Sequence, residues 1–154
     1  MQKSVAILPS GNELRISISG GVAWYPANGT DMDSLKKYAD FALYQVKRTN
    51  KGHLEEFSME IYQQEAQAAQ LRRDFQQLLT EERVYYVFQP IFSARTGKVM
   101  AYEALMRSDM EALRSPATIM KLAREQGALC EIERLTFFKS LENFDHLRSE
   151  GLVR

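Results

Sequence analysis

The stretch from Tyr86 to Arg107 constrains the fold more than any other part of this sequence. It reads YVFQPIF and VMAYEALMR on either side of a polar segment, SARTGK. Both flanking runs alternate with a period of two, which is typical of β-strands, and Gly97 in the polar segment suits a turn position with positive φ. The stretch therefore predicts a β-hairpin.

One face of this predicted hairpin mixes charges with apolar side chains. Glu103 and Arg107 fall on one face of the second strand, and Gln89 falls on one face of the first. A carboxylate and a guanidinium are costly to bury unless they are paired or bound to something. The pattern alone leaves two structural interpretations, an inward-facing ion pair or an edge strand with solvated charges, beside a binding role. The apolar residues that share these faces are Tyr85, Val87 and Ile91 on the first strand and Val99, Ala101 and Leu105 on the second.

The same residues carry a resemblance to a known family. FQPI, a polar turn and then YEALMR resemble the opening of an EAL domain, the phosphodiesterase family that linearises the bacterial messenger cyclic di-GMP. The resemblance implies that Glu103 is a catalytic residue that binds a divalent metal, and that Arg107 holds a ligand phosphate. It also implies that Gln89 and Leu105 contact the ligand, with cyclic di-GMP as the partner and Mg²⁺ or Mn²⁺ as the cofactor.

The first third of the chain resembles a different family. ISISGGVAWYP and YADFALYQVKRTNKG resemble the second half of a GGDEF domain, the fold of diguanylate cyclases. The resemblance places Lys47 and Lys51 where that family contacts nucleotide phosphates. The alternative is that these lysines only complement the dipole at a helix C-terminus. The element that names the family would lie upstream of Met1, so we do not expect this region to synthesise cyclic di-GMP.

Local patterns predict the elements of this first region. A strand is expected from Ser4 to Leu8 and another from Leu14 to Tyr25, with Gly20 and Gly21 marking a bulge or a close backbone approach. Asp31 or Asp33 is expected to cap a helix that runs through Lys47, and a short strand follows from His53 to Phe57. The apolar stripe of that helix comprises Leu35, Ala39, Leu43 and Val46.

A long helix is expected to connect the two regions. Ile61 to Leu79 contains no Gly or Pro and is rich in good helix formers. Two mainly apolar series recur there at seven-residue spacing, which fits either a homodimer contact or docking within the chain. We therefore predict the end of a GGDEF domain in 1–58, a linker helix in 59–80 and the start of an EAL domain in 81–154. The seven-residue series are Ile61, Ala68 and Phe75, and Gln64, Leu71 and Leu78.

Two further helices are predicted after the hairpin. Ser108 to Arg114 is expected to be a polar loop, after which Ser115 caps a helix that has Pro116 in its first turn and ends at Gly127. A second helix is expected from Leu129 to Arg148. The predicted buried residues of the first helix are Ile119, Leu122 and Ala123, and those of the second are Ile132, Leu135, Phe138, Leu141 and Phe144.

Composition excludes several functional classes. The chain has 154 residues, a formal net charge of zero, 45% hydrophobic and 26% charged residues, as expected for a soluble globular protein with no general attraction to nucleic-acid polymers. Its one cysteine, Cys130, excludes an internal disulfide and favours a reduced, cytoplasmic setting. No apolar run approaches the length of a membrane span, so no membrane is expected in this segment.

The fold class expected is α/β, with a partial GGDEF sheet joined by a helix to the opening hairpin and helices of a TIM-like EAL barrel. Such a barrel needs roughly 250 residues, whereas residues 81 to 154 supply only its beginning. Glu103 would provide one metal ligand, and hard cations want about six oxygen ligands. We therefore expect a part of a cyclic di-GMP phosphodiesterase that is inactive by itself, with two alternatives: a receptor that binds without turnover, or a helix-mediated dimerisation module.

Overall fold

The computed structural model describes residues 4–49 and 51–149. The predicted domains also include residues 1–3, 50 and 150–154, which lie outside the described residues. The chain divides into two compact units, Met1–Ala66 and Gln67–Arg154. Helices and strands are both well represented, which agrees with the α/β class, while the GGDEF sheet and the complete barrel remain predictions.

The first unit begins with a β-hairpin. Strands β1 (Ser4–Ile7) and β2 (Glu13–Ile16) pair antiparallel. The turn between them uses Gly11 at a φ of 82°, a left-handed conformation that glycine adopts without steric cost. The first predicted strand is confirmed.

The next strand belongs to a second sheet, so the prediction of one strand from Leu14 to Tyr25 was wrong. β3 (Gly20–Val22) pairs parallel with β4 (Leu54–Glu56), and the helix α1 (Met32–Thr49) connects them. The chain leaves its pairing with β1 after Ile16, and the amide of Gly20 donates instead to the carbonyl oxygen of His53 over 3.1 Å. Periodicity in the sequence cannot show this change of partner, because the new partner lies more than thirty residues further along the chain.

Gly21 lies against the backbone of α1. A β-carbon at this position would lie 1.9 Å from the carbonyl oxygen of Ala39 and 2.4 Å from the amide nitrogen of Leu43. Of the two predicted explanations for the glycine pair, the close backbone approach is confirmed. At Gly20 the corresponding β-carbon would meet a side-chain atom of Leu54.

Asp31 caps α1. The amide of Ser34 donates to Asp31 Oδ1 over 2.8 Å, and this hydrogen bond lowers the pKa of the Asp31 carboxyl. In the predicted apolar stripe of the helix, Val46 is buried and the other three residues are half-buried, and Ala42, which was not predicted, is buried as well. Charge also suits the far end of the helix, where Lys47 and Arg48 lie in the last turn.

Four aromatic rings attach the start of the next helix, α2 (Met59–Thr80), to the first unit. The rings of Tyr38 and Phe57 stack with centroids 4.2 Å apart, and Phe41 meets Tyr62 edge-on at 5.0 Å. Such aromatic pairs stabilise a fold by more than the area they bury. The ring of Tyr62, in the first turns of α2, is therefore held by residues of α1 and of the segment after β4.

The second unit packs around the second half of α2. Phe75 and Leu78 have no exposed surface, and Leu71 packs beside them. In this half of the helix the apolar series therefore packs within the chain, and the prediction of intrachain docking is confirmed there. The core comprises Phe75, Leu78, Val84, Tyr86, Leu113, Ile119, Leu122, Ala123, Ala128, Ile132 and Leu135.

The predicted hairpin is confirmed. β5 (Tyr85–Phe92) and β6 (Val99–Arg107) pair antiparallel, with an irregularity between Ile91 and Phe92 and a φ of 68° at Gly97 in the turn. One face of this hairpin packs on the last helix. There the amide of Tyr86 donates to Asn143 Oδ1 over 3.0 Å, and Phe144 meets Phe88 edge-on at 5.3 Å.

Two helices, α3 (Pro116–Glu125) and α4 (Leu129–Ser149), complete the unit. Ser115 occupies the capping position, but its side chain forms no capping hydrogen bond, so that part of the prediction was wrong. Instead, its carbonyl oxygen accepts from the amides of Thr118 and Ile119. Gly127 follows α3 at a φ of 69°, as predicted.

Two further predictions for this region need correction. The segment Ser108 to Arg114 is not simply a polar loop, because a short 3-10 helix (Glu111–Leu113) places Leu113 in the core with no exposed surface. Two residues of the predicted buried face of α4 are not buried, since Phe138 and Leu141 are each 54% exposed. Phe144, which was also predicted, is half-buried and contacts the hairpin together with Asn143. Among the described residues, no helix combines the length and apolarity needed to cross a bilayer.

Candidate functional site

The register of the hairpin brings the predicted site residues onto one face. Gln89 lies directly opposite Glu103, Val87 opposite Leu105, and Tyr85 opposite Arg107. Side chains on neighbouring strands at such positions have β-carbons about 5 Å apart. We call this surface the Glu103 face. It is opposite the face that carries Tyr86 and Phe88 towards α4, because successive side chains of a strand alternate between faces.

Glu103 and Gln89 are both exposed on this face. Among the described residues, Glu103 forms no ion pair, so the inward-facing ion pair with Arg107 that the pattern allowed is not what the structure contains. The interpretation of solvated charges on an edge strand fits instead. An exposed carboxylate with a carboxamide opposite it can accept hydrogen bonds or ligate a cation.

Arg107 is half-buried at the end of β6. Its Nη1 donates to the carbonyl oxygen of Met106 over 2.7 Å. An arginine has five N–H donors in a planar fork, so this single bond fixes the side chain while leaving donors for an anion. Within the part of the chain that the structure describes, no carboxylate forms an ion pair with Arg107.

The structure also distinguishes two copies of the same tripeptide. Glu-Ala-Leu occurs at Glu103–Leu105 and again at Glu111–Leu113. In the first copy the glutamate is exposed and Leu105 is half-buried on the Glu103 face. In the second copy Leu113 fills the core, so that copy has a structural role.

The described residues do not by themselves form a metal site. They contain no group of three or more His, Cys, Asp or Glu side chains that could hold an ion. Glu103 can supply one oxygen ligand, whereas Mg²⁺ and similar hard cations want about six. The described residues therefore supply one ligand of a metal site and not the complete set.

The two lysines predicted to contact phosphate belong to the first unit. Lys47 lies in the last turn of α1 and Lys51 lies just beyond that helix, and both are exposed. Beside them, the amide of Gly52 donates to Ser19 Oγ over 2.9 Å. Both the phosphate-binding role and the role at the helix C-terminus remain predictions.

Sequence reasoning missed an ion pair beside Arg107. Arg83 Nη2 lies 2.6 Å and Arg83 Nε 3.1 Å from the two carboxylate oxygens of Asp109. The guanidinium lowers the pKa of the Asp109 carboxyl, and the carboxylate raises the pKa of Arg83. Counting outward by two from Tyr85 and Arg107 would have placed the two residues opposite each other.

Comparison with known proteins identifies the family to which this hairpin belongs. The EAL domain matches residues 72–153, a range that includes the end of α2 from Arg72 onward, the hairpin and both following helices. This chain belongs to the EAL domain family. The match begins before the residue 81 predicted as the domain start, and it includes the buried residues Phe75 and Leu78.

Three relatives show how this EAL chain compares with longer proteins. The cyclic di-GMP phosphodiesterase NbdA of Pseudomonas aeruginosa is 27% identical over 100% of this chain and 20% of its own length. The bifunctional diguanylate cyclase/cyclic di-GMP phosphodiesterase MucR of the same organism is 30% identical over 80% of this chain and 18% of its own. The cyclic di-GMP phosphodiesterase PdeR of Escherichia coli is 26% identical over 91% and 21%. The chain thus spans about a fifth of the length of each of these relatives.

Proposed function

We propose that this chain contributes the opening hairpin and first helices of an EAL domain that hydrolyses cyclic di-GMP to the linear dinucleotide in a metal-dependent reaction. The observation that carries the proposal is the Glu103 face, where Gln89, Glu103, Leu105 and Arg107 share one side of the hairpin. The family match and the relatives named as cyclic di-GMP phosphodiesterases support it.

Each residue of the Glu103 face has a proposed role. Glu103 would be one ligand of Mg²⁺ or Mn²⁺, and the Arg107 fork would hold a phosphate of the nucleotide. Gln89, opposite Glu103, would hydrogen-bond the ligand or a water molecule, and the half-buried Leu105 would contact the nucleotide by packing. Because one carboxylate does not complete a metal site, we expect the 154 residues alone to be inactive in hydrolysis.

The first unit is proposed to be the end of a GGDEF domain that does not synthesise cyclic di-GMP here. The alignments with NbdA and PdeR cover all or most of this chain, so they extend into the first unit. MucR is named as a bifunctional protein with a diguanylate cyclase activity. Lys47 and Lys51 are the proposed phosphate contacts of this unit. We also propose that the protein is cytoplasmic.

A second candidate function for this chain alone is binding of cyclic di-GMP without hydrolysis. The observation that favours it is the combination of an arginine with unused donors and a single exposed carboxylate. An anion can bind to the arginine without a metal ion. A metal ion would need several carboxylates, and the described residues expose only one at this site.

One experiment tests both proposals. Cyclic di-GMP is added to the isotope-labelled chain and binding is followed through the backbone amide signals of the Glu103 face, while chromatography detects the linear dinucleotide in the presence of Mg²⁺ or Mn²⁺. We expect binding without product. Arg107→Ala should weaken binding by about tenfold or more, the size of a lost charge-assisted hydrogen bond.

The matched control is Arg95→Ala, which removes an exposed arginine from the hairpin turn and should leave binding unchanged. Equal affinity of the wild type and Arg107→Ala would refute the phosphate role of Arg107. Linear product from the wild type and none from Glu103→Ala would show that a working metal site assembles from these residues, contrary to the expected inactivity.

A further inference from the structure

The ion pair between Arg83 and Asp109 extends the ladder of the hairpin by one position on the Glu103 face. Tyr85 lies opposite Arg107 in the last regular pair of β5 and β6. Arg83 precedes Tyr85 by two residues and Asp109 follows Arg107 by two, so the alternation of side chains puts both on the same side as Arg107. The contact of 2.6 Å shows that they remain opposite each other beyond the strands.

This arrangement places two carboxylates near Arg107 along the chain. Glu103 lies four residues before it and Asp109 two residues after it. Two residues of extended chain span about 7 Å, which is within the reach of an arginine side chain. Asp109 is thus a natural partner for Arg107, and such a pair would occupy the guanidinium that a phosphate needs.

The structure shows Asp109 bound elsewhere. Both of its oxygens face the Arg83 fork, in the two-bond geometry that guanidinium and carboxylate groups favour. Arg83 Nη1 also lies 3.9 Å from Glu81 Oε2, so a second carboxylate is close to the same guanidinium. Arg107 keeps its hydrogen bond to Met106 and, within the described part of the chain, has no carboxylate partner.

We propose that Arg83 is a positioning residue that holds Asp109 and thereby keeps the guanidinium of Arg107 available to a nucleotide phosphate. This inference rests on the proposed function of Arg107 as the phosphate-binding group. Arg83 does not touch the ligand. Its effect is to remove a competing carboxylate, so the loss of Arg83 and the loss of Asp109 have opposite consequences for binding.

The test compares Arg83→Gln, Asp109→Asn and the double variant in the full 154-residue chain, with cyclic di-GMP as the probe. Arg83→Gln should weaken binding by about two- to fivefold, because an exposed ion pair competes only modestly. Asp109→Asn should not weaken it, and the double variant should return to the wild-type affinity. A structural clamp alone would make Asp109→Asn and the double variant as weak as Arg83→Gln, and that result would overturn the proposal.

A second measurement needs no ligand. The pKa of the Asp109 carboxyl is measured by NMR titration in Arg83→Gln and in Arg83→Gln/Arg107→Gln. We expect it to stay below its ordinary value in the first variant, because Arg107 takes over as partner, and to return to that value in the second. A return to the ordinary value already in Arg83→Gln would overturn the inference.

The two measurements separate this inference from the proposed function. If the wild-type chain bound no cyclic di-GMP, the proposed function of Arg107 in this chain would fail. The titration would still decide whether Asp109 transfers from Arg83 to Arg107.

Discussion

The contact between Gly21 and α1 gives a prediction whose size follows from the structure. In Gly21→Ala the new methyl group would lie 1.9 Å from the carbonyl oxygen of Ala39. Neither of these backbone segments can rotate away, so strand and helix would have to separate by about 1.5 Å to reach an ordinary contact distance. Overpacking of this kind costs about 1–3 kcal/mol, and we expect the upper end because the obstacle is backbone.

Gly20→Ala is the matched control. Its methyl group would meet the end of the Leu54 side chain. Leu54 is 69% exposed, so this side chain can change rotamer. Both variants lose the same glycine freedom in the unfolded chain, so that contribution cancels in the comparison. Gly20→Ala should therefore change the free energy of unfolding by less than about 1 kcal/mol.

The assay is urea unfolding followed by fluorescence. Trp24 is the only tryptophan of the chain and lies in the first unit, so its emission reports on that unit. With a urea dependence of about 1 kcal/mol per M for a unit this small, Gly21→Ala should lower the midpoint by about 2–3 M or abolish the transition. A midpoint for Gly21→Ala equal to or above that of Gly20→Ala would refute the reasoning.

Two other predictions test the caps and the core. Leu113→Ala should destabilise the second unit by about 2–5 kcal/mol because it empties a fully buried site, whereas Leu105→Ala in the other Glu-Ala-Leu copy should cost less than about 1.5 kcal/mol; urea unfolding followed by circular dichroism compares them. Asp31 has a lowered pKa in the folded state, so its charge contributes stability above its unfolded pKa of about 3.9 that is lost as the pH falls through the folded value. The melting temperature of the first unit, followed by Trp24 fluorescence, should therefore fall less between pH 6 and pH 2.5 in Asp31→Asn than in the wild type, and equal falls would contradict the role of the charge.

Features set by neighbouring residues were predictable from the sequence. The hairpin and its glycine turn follow from alternation on either side of SARTGK, whereas the pairing of Gln89 with Glu103 depends on the irregularity between Ile91 and Phe92. The helices follow from composition and punctuation, such as Gly127 after α3. At these places local preference and tertiary contacts favour the same structure.

Features set by distant contacts were not predictable in the same way. The strand after β2 pairs with β4, which lies too far along the chain for a local pattern to indicate the pairing. In α4, Phe138 is exposed because a different side of the helix packs against the hairpin. Leu113 looked like part of a polar loop, since so short a segment shows no hydrophobic period. In the site, Arg83 lies outside the regular strands, so no family motif pointed to its pairing with Asp109.

The helix α2 has a practical consequence for dissecting this protein. A boundary placed where the composition changes, after Thr80, would produce a C-terminal piece without Phe75 and Leu78, the two side chains of α2 that are fully enclosed in the second unit. Such a piece would begin at a turn, but its hydrophobic core would be incomplete. We expect it to aggregate during expression. A piece that starts at Gln67 keeps both side chains, because the boundary between the two units lies in the middle of α2 and not at its end.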